Sequence, residues 1–301
     1  MYLAIDLGGT FVKSAFMTKE GKIAQEEKTK TPETLKDFLQ YVASLKKQAV
    51  ENLEGIAVSS PGTVFPDGRV GGTSAIPFIH QGNLKMELEQ ATGLYTTIEN
   101  DANCAALAEV WQGAAQNVQD AALIIVGTGI GGALVKDRKL HKGSHLLGGE
   151  IGYSLLTVNP EERTVGQASR MASTRSMIRN YAAKTGIDED SISGEWLFDQ
   201  AEVGEESAKE VIQTFYFTLA ALVYNVHYLY DPDIILLGGG ISARKDLING
   251  VKQGLEGIFK QLDDLVHVMP NVEICQYRNQ ANLIGALYAH HQINGAAVEV
   301  L

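Results

Sequence analysis

DLGGTFVKS, residues Asp6–Ser14, is the stretch on which the reading of this chain turns. The apolar run Tyr2–Ile5 ends in an acid, turns on two glycines and a threonine, and resumes alternation through Phe11–Met17. That pattern predicts strand, tight turn, strand. Gly8 and Gly9 carry no Cβ, so the turn's N–H groups can approach an anion closely. Thr10 adds a hydroxyl and Lys13 a cation. Asp6 makes no sense beside a bare phosphate, but it does beside a phosphate that carries Mg²⁺. The same letters also fit an ordinary hairpin, because Gly-Gly between apolar runs is a hairpin signal by itself. The rest of the chain has to separate the two.

At 301 residues the chain is longer than one ordinary core needs and suits two domains. Its 45% hydrophobic and 20% charged residues are those of a globular protein. A formal charge of −11 argues against a basic nucleic-acid surface, so no nucleic acid is expected as a partner. Cys104 and Cys275 lie far apart and show no disulfide or metal spacing. No apolar run approaches 18 residues and a strand is expected from residue 2, so neither a membrane span nor a signal peptide is expected. The expected compartment is the cytoplasm.

Strands are expected at 2–6, 11–18 and 22–29, after which Pro32 opens a helix with Leu35, Phe38, Leu39, Val42 and Leu45 at helical spacing. A buried strand at 55–58 runs into Ser59-Ser60-Pro61-Gly62, read as a loop, and 63–82 reads as irregular surface. A helix at 83–91 and a strand at 95–98 follow. That strand delivers Glu99-Asn100-Asp101-Ala102-Asn103 to a helix running through Val110. Asn100 or Asp101 can cap it, which alone would account for them. Polar residues at a strand's carboxyl end also mark where ligands sit in open α/β sheets. A carboxylate there can accept a proton from a substrate hydroxyl.

GTGIGG at 127–132 has the G-x-G-x-x-G spacing, yet the residues after Gly132 are strand-like and not helical. A dinucleotide fold needs the helix. The stretch instead repeats the strand–glycine turn–strand of residues 6–14. In the glycine-rich run 141–152, Glu150 suits a hydroxyl-binding carboxylate better than a metal ligand beside His141 and His145. A polar loop at 158–167, a helix at 168–182 and a long helix at about 205–230 follow, the last stopping at Asp231-Pro232. His227 within it reads as a satisfied core histidine. The apolar strand 234–237 leads into Gly238–Ser242 and a helix to about Lys260. That turn suits a nucleotide, or simply needs small residues. A strand at 272–275 and a helix at 280–290 complete the pattern.

Six motifs stand in order at family-like separations: DLGGT at 6–10, SSPG at 59–62, ENDAN at 99–103, GTGIGG at 127–132, GGE-IGY at 148–153 and GGGI at 238–241. Through them the chain resembles the ROK family of sugar kinases along essentially its whole length. The resemblance implies an α/β, two-domain actin-like (ribonuclease H-like) ATPase fold with an interdomain cleft. It implies a small N-terminal domain of 1–118 plus 288–301 and a larger one of 119–287, with the last helix returning to the first. It further implies ATP and Mg²⁺, a sugar substrate, and a homodimer. Carried over motif by motif, Asp101 is the catalytic base, and Asn100, Glu150 and Gly62 bind the sugar. Asp6, Gly8, Gly9, Thr10 and Lys13 serve phosphate, with Asp6 reaching Mg²⁺ through it. Thr128 and Gly129 hold the outer phosphates, and Gly239 with Gly240 backs the nucleotide.

Many family members continue GEIGH into a cysteine-rich zinc loop, but here Tyr153 stands at the histidine position and 154–170 contains no cysteine. No zinc site is expected. The zinc-less loop, ENDANCA with EVW, YLYDP with GGGIS, and NQANLIGALY at 279–288 are most similar to the β-glucoside kinase branch. Members of that branch phosphorylate the 6-hydroxyl of cellobiose-type disaccharides and aryl β-glucosides. Tyr153 then joins the sugar contacts, offering an aromatic face to a second ring or aglycone. Glucokinase, fructokinase and N-acetylmannosamine kinase are the alternatives. A repressor of this family would carry an N-terminal helix-turn-helix, for which a hairpin beginning at residue 2 leaves no room. A catalytically silent sugar sensor would not need intact DLGGT and ENDAN.

Overall fold

The apolar runs flanking Gly8-Gly9 form β1 (Tyr2–Leu7) and β2 (Phe11–Met17), paired antiparallel from Tyr2 with Met17 to Leu7 with Val12. The structure is a computed structural model and describes residues 1–262 and 268–299. After these strands come β3 (Ile23–Lys30), α1 (Leu35–Gln48), β4 (Gly55–Ser60), β5 (Thr63–Val64), β6 (Val70–Gly71), α2 (Leu84–Thr92), β7 (Thr96–Asn100) and α3 (Asp101–Gln112). The five-stranded sheet runs β3-β2-β1-β4-β7, and β1, β4 and β7 are parallel. Alternation along the strands sorts the side chains. Leu3, Ile5, Ile56 and Val58 pack with Phe38 and Val42 of α1 and Leu88 of α2. Ala4, Ala15 and Ala57 face the other way, against Cys104 and Ala108 of α3.

Farther along, β8 (Ala121–Val126), β9 (Ile130–Lys136), β10 (Lys139–Leu140), β11 (Leu155–Asn159), β12 (Thr164–Gln167), α4 (Ala168–Met171), α5 (Thr174–Thr185), α6 (Gly194–Glu202), α7 (Glu206–Tyr230), β13 (Ile234–Gly238), α8 (Leu247–Leu262) and β14 (Val272–Ile274) precede α9 (Ala281–Glu299). The second five-stranded sheet runs β10-β9-β8-β13-β14. Ile124, Ile235 and Leu237 share one core with Leu219 and Val223 of α7 and Val251 and Leu255 of α8.

Two compact units result, one of Met1–Gln116, Gly143–Leu146 and the chain from Tyr277 onward, the other of Asn117–Lys142 and Leu147–Gln276. The whole of α9 lies in the first unit, whereas the sequence reading began that returning segment at residue 288. Leu283, Ile284 and Leu287 join the cluster of Tyr2, Ala57 and Cys104, so the helix is committed there from its first turn. Gly285 allows this, because a Cβ at that position would collide with the backbone carbonyl of Cys104. Among the described residues, no helix is long and apolar enough to cross a membrane.

Several boundaries differ from the sequence expectation for identifiable reasons. α1 starts at Leu35, not at Pro32, because the Thr34 side chain accepts from Asp37 N and fixes the cap. Ser59 and Ser60 are strand, not loop, because Ser59 pairs with both β1 and β7 and Ser60 with Asn100 of β7. Two short pairings interrupt the irregular stretch after Gly62, Thr63 with Gly71 and Val64 with Val70. The expected polar loop at 158–167 is mostly the β11–β12 hairpin. The expected helix at 168–182 is two helices, because Ser173 caps a new one on Ser176 N. After the glycines of 238–240 comes a single 3₁₀ turn, and α8 begins only at Leu247. His227 is buried in α7, but its Nδ1 meets no hydrogen-bond partner, so it is a core ring without being a satisfied one.

His290 of α9 is fully buried, with Nδ1 2.9 Å from Thr97 Oγ1 and Nε2 2.8 Å from Asn294 Nδ2. Burial, reinforced by neighbouring His291, lowers its pKa from 6.5 to about 4. An unfolded chain therefore takes up this proton near pH 6.5, and the folded one only near pH 4. Across that window the unfolded state holds more protons, so stability falls as pH falls, by up to about 3 kcal/mol. Thermal melts from pH 7 to 4.5 are expected to show a steep loss of Tm that His290→Gln flattens. Parallel slopes in the two proteins would contradict this.

Candidate active site

Parallel register gathers the polar residues of the first unit. Asp6 of β1 lies opposite Ser59 of β4, which lies opposite Glu99 of β7, and Asp6 also faces Lys13 of β2. Three strands thus bring their polar termini to one edge of the sheet. Asp6 Oδ1 accepts from Ser59 Oγ at 3.1 Å and from Asn282 Nδ2 of α9 at 3.0 Å. Its Oδ2 lies 3.9 Å from Lys13 Nζ, which donates to the Asn279 carbonyl at 2.9 Å. One oxygen of Asp6 is fixed by neutral donors while the other meets a cation. Gly8 N donates to Phe11 O at 3.1 Å, and a Cβ on Gly8 would lie 2.7 Å from that oxygen. Gly9 sits as tightly, 2.8 Å from Ala75 Cβ by the same construction. The turn holding Thr10 is therefore built for glycine.

ENDAN completes this group. Asn100, not Asp101, caps α3, its Oδ1 accepting from Asn103 N at 3.2 Å. Its Nδ2 donates to the Gly62 carbonyl at 3.0 Å, tying the SSPG turn to the head of the helix. Gly62 has φ +96°, and a Cβ there would lie 2.6 Å from Gly71 O, so the turn admits no side chain. Glu99, 3% exposed, accepts from Asn100 N and Asn103 Nδ2, each at 2.9 Å. Asp101 Oδ1 accepts from Ala102 N at 2.8 Å in the first turn. Burial pushes the Cys104 thiol well up, and the carboxylates of Glu99, Asp6 and Asp101 add to the effect. Three carboxylates thus share one neighbourhood, and Lys13 lies 3.9 Å from one of them, Asp6.

In the other unit the candidate residues begin at the β8–β9 turn. Gly127 N donates to Gly129 O at 2.9 Å, and Thr174 N donates back to Gly127 O at 2.9 Å. A Cβ on Gly129 would lie 2.8 Å from Ser169 Oγ, which accepts from Ile130 N at 3.0 Å. Gly239, at φ +88°, leaves no room for a Cβ against the backbone of Val126, so β13's glycine turn lies directly on β8. A cavity of about 620 Å³ follows, lined among others by Thr128, Phe198, Asp199, Gly240 and Arg244. That volume suits a small organic ligand. Arg244 donates to Asp246 at 2.9 Å and Glu202 at 2.8 Å, and its guanidinium lies 4.4 Å from the centre of the Phe198 ring.

Gly132, the last of GTGIGG, serves packing: a Cβ there would lie 2.7 Å from Ile151 Cδ1 and from Leu123 O. This seats the turn from Glu150 to Tyr153 against β9. Partial desolvation raises the Glu150 carboxyl pKa, and Tyr153 is 70% exposed. Among the described residues, no group of three or more His, Cys, Asp and Glu is arranged to hold a metal.

Asp6, Gly8, Gly9, Thr10, Lys13, Gly62, Asn100 and Asp101 therefore lie in one unit, and Thr128, Gly129, Glu150, Tyr153, Gly239 and Gly240 in the other. Sequence reasoning missed Ser59 and Asn282 as holders of Asp6, Glu99 beneath ENDAN, and the Phe198–Arg244 wall. Asn282 left a faint signal, an amide beginning a helix whose next seven residues are apolar, glycine or tyrosine. Phe198 and Arg244 left none, being 46 residues apart in unremarkable segments.

A glycine turn between antiparallel strands, a parallel sheet and polar strand ends, in two units, are the marks of an actin-like phosphotransferase fold. The chain belongs to the ROK family, whose model matches residues 2–293. It is 36% identical to a β-glucoside kinase of Listeria monocytogenes over 293 residues, 95% of each chain. A ROK family protein from Streptococcus pneumoniae, solved in complex with sucrose, superposes with a TM-score of 0.89 at 36% identity, over 98% of this chain and 99% of that one. A ROK family glucokinase from Streptomyces griseus, solved with glucose and AMPPNP, gives 0.75 at 25% identity, over 97% and 99%.

Because Asn100 does the capping, Asp101→Asn removes a carboxylate without removing the cap, which tests the expectation that Asp101 is the base. The expected result is kcat lower by about 10²-fold or more, with sugar KM and Tm nearly unchanged. Near-normal turnover would reduce Asp101 to a helix-start residue.

Proposed function

We propose that the protein transfers the γ-phosphoryl group of ATP to the 6-hydroxyl of a β-glucoside such as cellobiose. The observation that carries this reading is the row of Asp6, Ser59 and Glu99-Asn100-Asp101 at the carboxyl ends of three parallel strands. Support also comes from the relatives named β-glucoside kinase. In this reading Asp101 takes the hydroxyl proton. Asn100, the Gly62 turn and Glu150 hold sugar hydroxyls, and a raised Glu150 suits a carboxyl that gives or accepts a hydrogen bond. Gly8, Gly9, Thr10 and Lys13 cradle phosphate, Thr128 and Gly129 hold its outer groups, and Gly239 and Gly240 back the nucleotide.

Magnesium fits the donors at the first turn: Asp6 and Thr10 offer hard oxygens, and three neighbouring carboxylates favour a cation. Asp6 would hold the ion through phosphate. Bound magnesium supplies charge neutralisation for phosphoryl transfer. What the chain's own residues do is position, accept a proton and exclude water, which competes as acceptor. Zinc has no part in this reading, since the β11–β12 hairpin stands where the family's zinc loop is expected. The protein is proposed to act in the cytoplasm as a homodimer, with exposed Phe217, Tyr228 and Leu229 of α7 as apolar surface for a second copy.

Tyr153 replaces a polar partner of the anomeric hydroxyl with an aromatic face. A substrate without a free anomeric hydroxyl then strands no polar group, which otherwise costs about 1–3 kcal/mol. ADP release measured against cellobiose, gentiobiose, an aryl β-glucoside, glucose, fructose and N-acetylmannosamine is expected to rank a β-glucoside first in kcat/KM, about tenfold or more ahead. A monosaccharide ahead by that margin would contradict the acceptor and leave the kinase standing.

A further inference from the structure

The β5–β6 hairpin carries an exposed aromatic ring that nothing in the phosphoryl-transfer chemistry uses. Val64 and Val70 are buried and root the hairpin in the core, while Phe65 at its tip is 38% exposed. Hydrogen bonds hold the tip. Phe65 N donates to Arg69 O at 2.9 Å, and Gly68 N donates to Phe65 O at 2.9 Å. Arg69 donates from its backbone N and its Nε to Asp67 at 3.1 and 2.7 Å. Asn83, the cap of α2, donates to the Asp67 carbonyl at 2.9 Å. The Arg69 guanidinium lies 5.5 Å from the centre of the Phe65 ring. Such a ring is held in place before any ligand arrives, so little ordering is needed on binding.

Its position follows from a chain of close approaches. Asn100 Nδ2 holds the Gly62 carbonyl at 3.0 Å. Gly62 lies against Gly71, whose oxygen would be 2.6 Å from a Cβ on Gly62. Gly71 in turn lies against Phe65, whose Cε2 would be 2.7 Å from a Cβ on Gly71. Through these two glycines the ring is packed one contact after another to the amide next to Asp101. Equatorially substituted β-glucosides present C–H faces that lie well on an aromatic surface.

On the β-glucoside reading above, we propose that Phe65, braced by Arg69, is the platform for the second sugar ring or aryl aglycone of the acceptor. A free monosaccharide does not extend to it. The platform therefore sets specificity without taking part in phosphoryl transfer.

Wild-type and Phe65→Ala proteins are compared on p-nitrophenyl β-glucoside, cellobiose and glucose. The expected result is a loss of about three- to tenfold in kcat/KM on both β-glucosides, carried by KM, with glucose changed by less than about twofold. Phe65→Trp is expected to keep or improve the β-glucoside values. Unchanged β-glucoside kinetics in Phe65→Ala, or an equal loss on glucose, would overturn the platform. A wild-type protein that ignores both β-glucosides instead overturns the parent reading, and shows this before any variant is made.

Discussion

The in-register pairing of three parallel strands is the constraint on which the first unit depends. Because Asp6, Ser59 and Glu99 stand side by side, a slip of one residue would turn each to the opposite face of the sheet. The same alternation puts Ala4 and Ala57 on the α3 side, where small side chains let α3 and α9 approach. Gly285 extends that close approach to the helix pair itself. Asn282 then reaches Asp6 from α9, so the last helix completes a site that the first strand begins.

Placing three carboxylates near one another has an electrostatic consequence. Each raises the Cys104 thiol pKa beyond what burial alone does, which leaves that cysteine unreactive. Neutral donors, Ser59 and Asn282 on Asp6 and Asn103 on Glu99, hold the oxygens in place without cancelling their charge.

The sequence made the skeleton legible where glycine, proline and alternation act locally. The two strand–glycine turn–strand units, the stop at Asp231-Pro232 and the long α7 all follow from such signals. Less legible were features that tertiary pairing decides. Ser59 and Ser60 read as loop because Pro61 and Gly62 follow, yet β1 and β7 hold Ser59 extended and β7 holds Ser60. The hairpin from Leu155 to Gln167 was hidden by its polar composition. Asp101 and Asn100 were equivalent as caps by letter, and only geometry divided them, Asn100 to the cap and the Gly62 carbonyl, Asp101 to the first turn. The Phe198–Arg244 wall and the Phe65 tip depend on contacts between or within short segments that carry no periodic signal.

The central claim is that phosphate moves from ATP to a primary hydroxyl of a glucoside. Phosphorus-31 NMR of the product formed from ATP and p-nitrophenyl β-glucoside reads it directly. A phosphomonoester on C6 couples to two protons and gives a triplet, the expected result. A doublet would place the phosphate on a secondary hydroxyl, and inorganic phosphate alone would mean hydrolysis without transfer; either would contradict the claim.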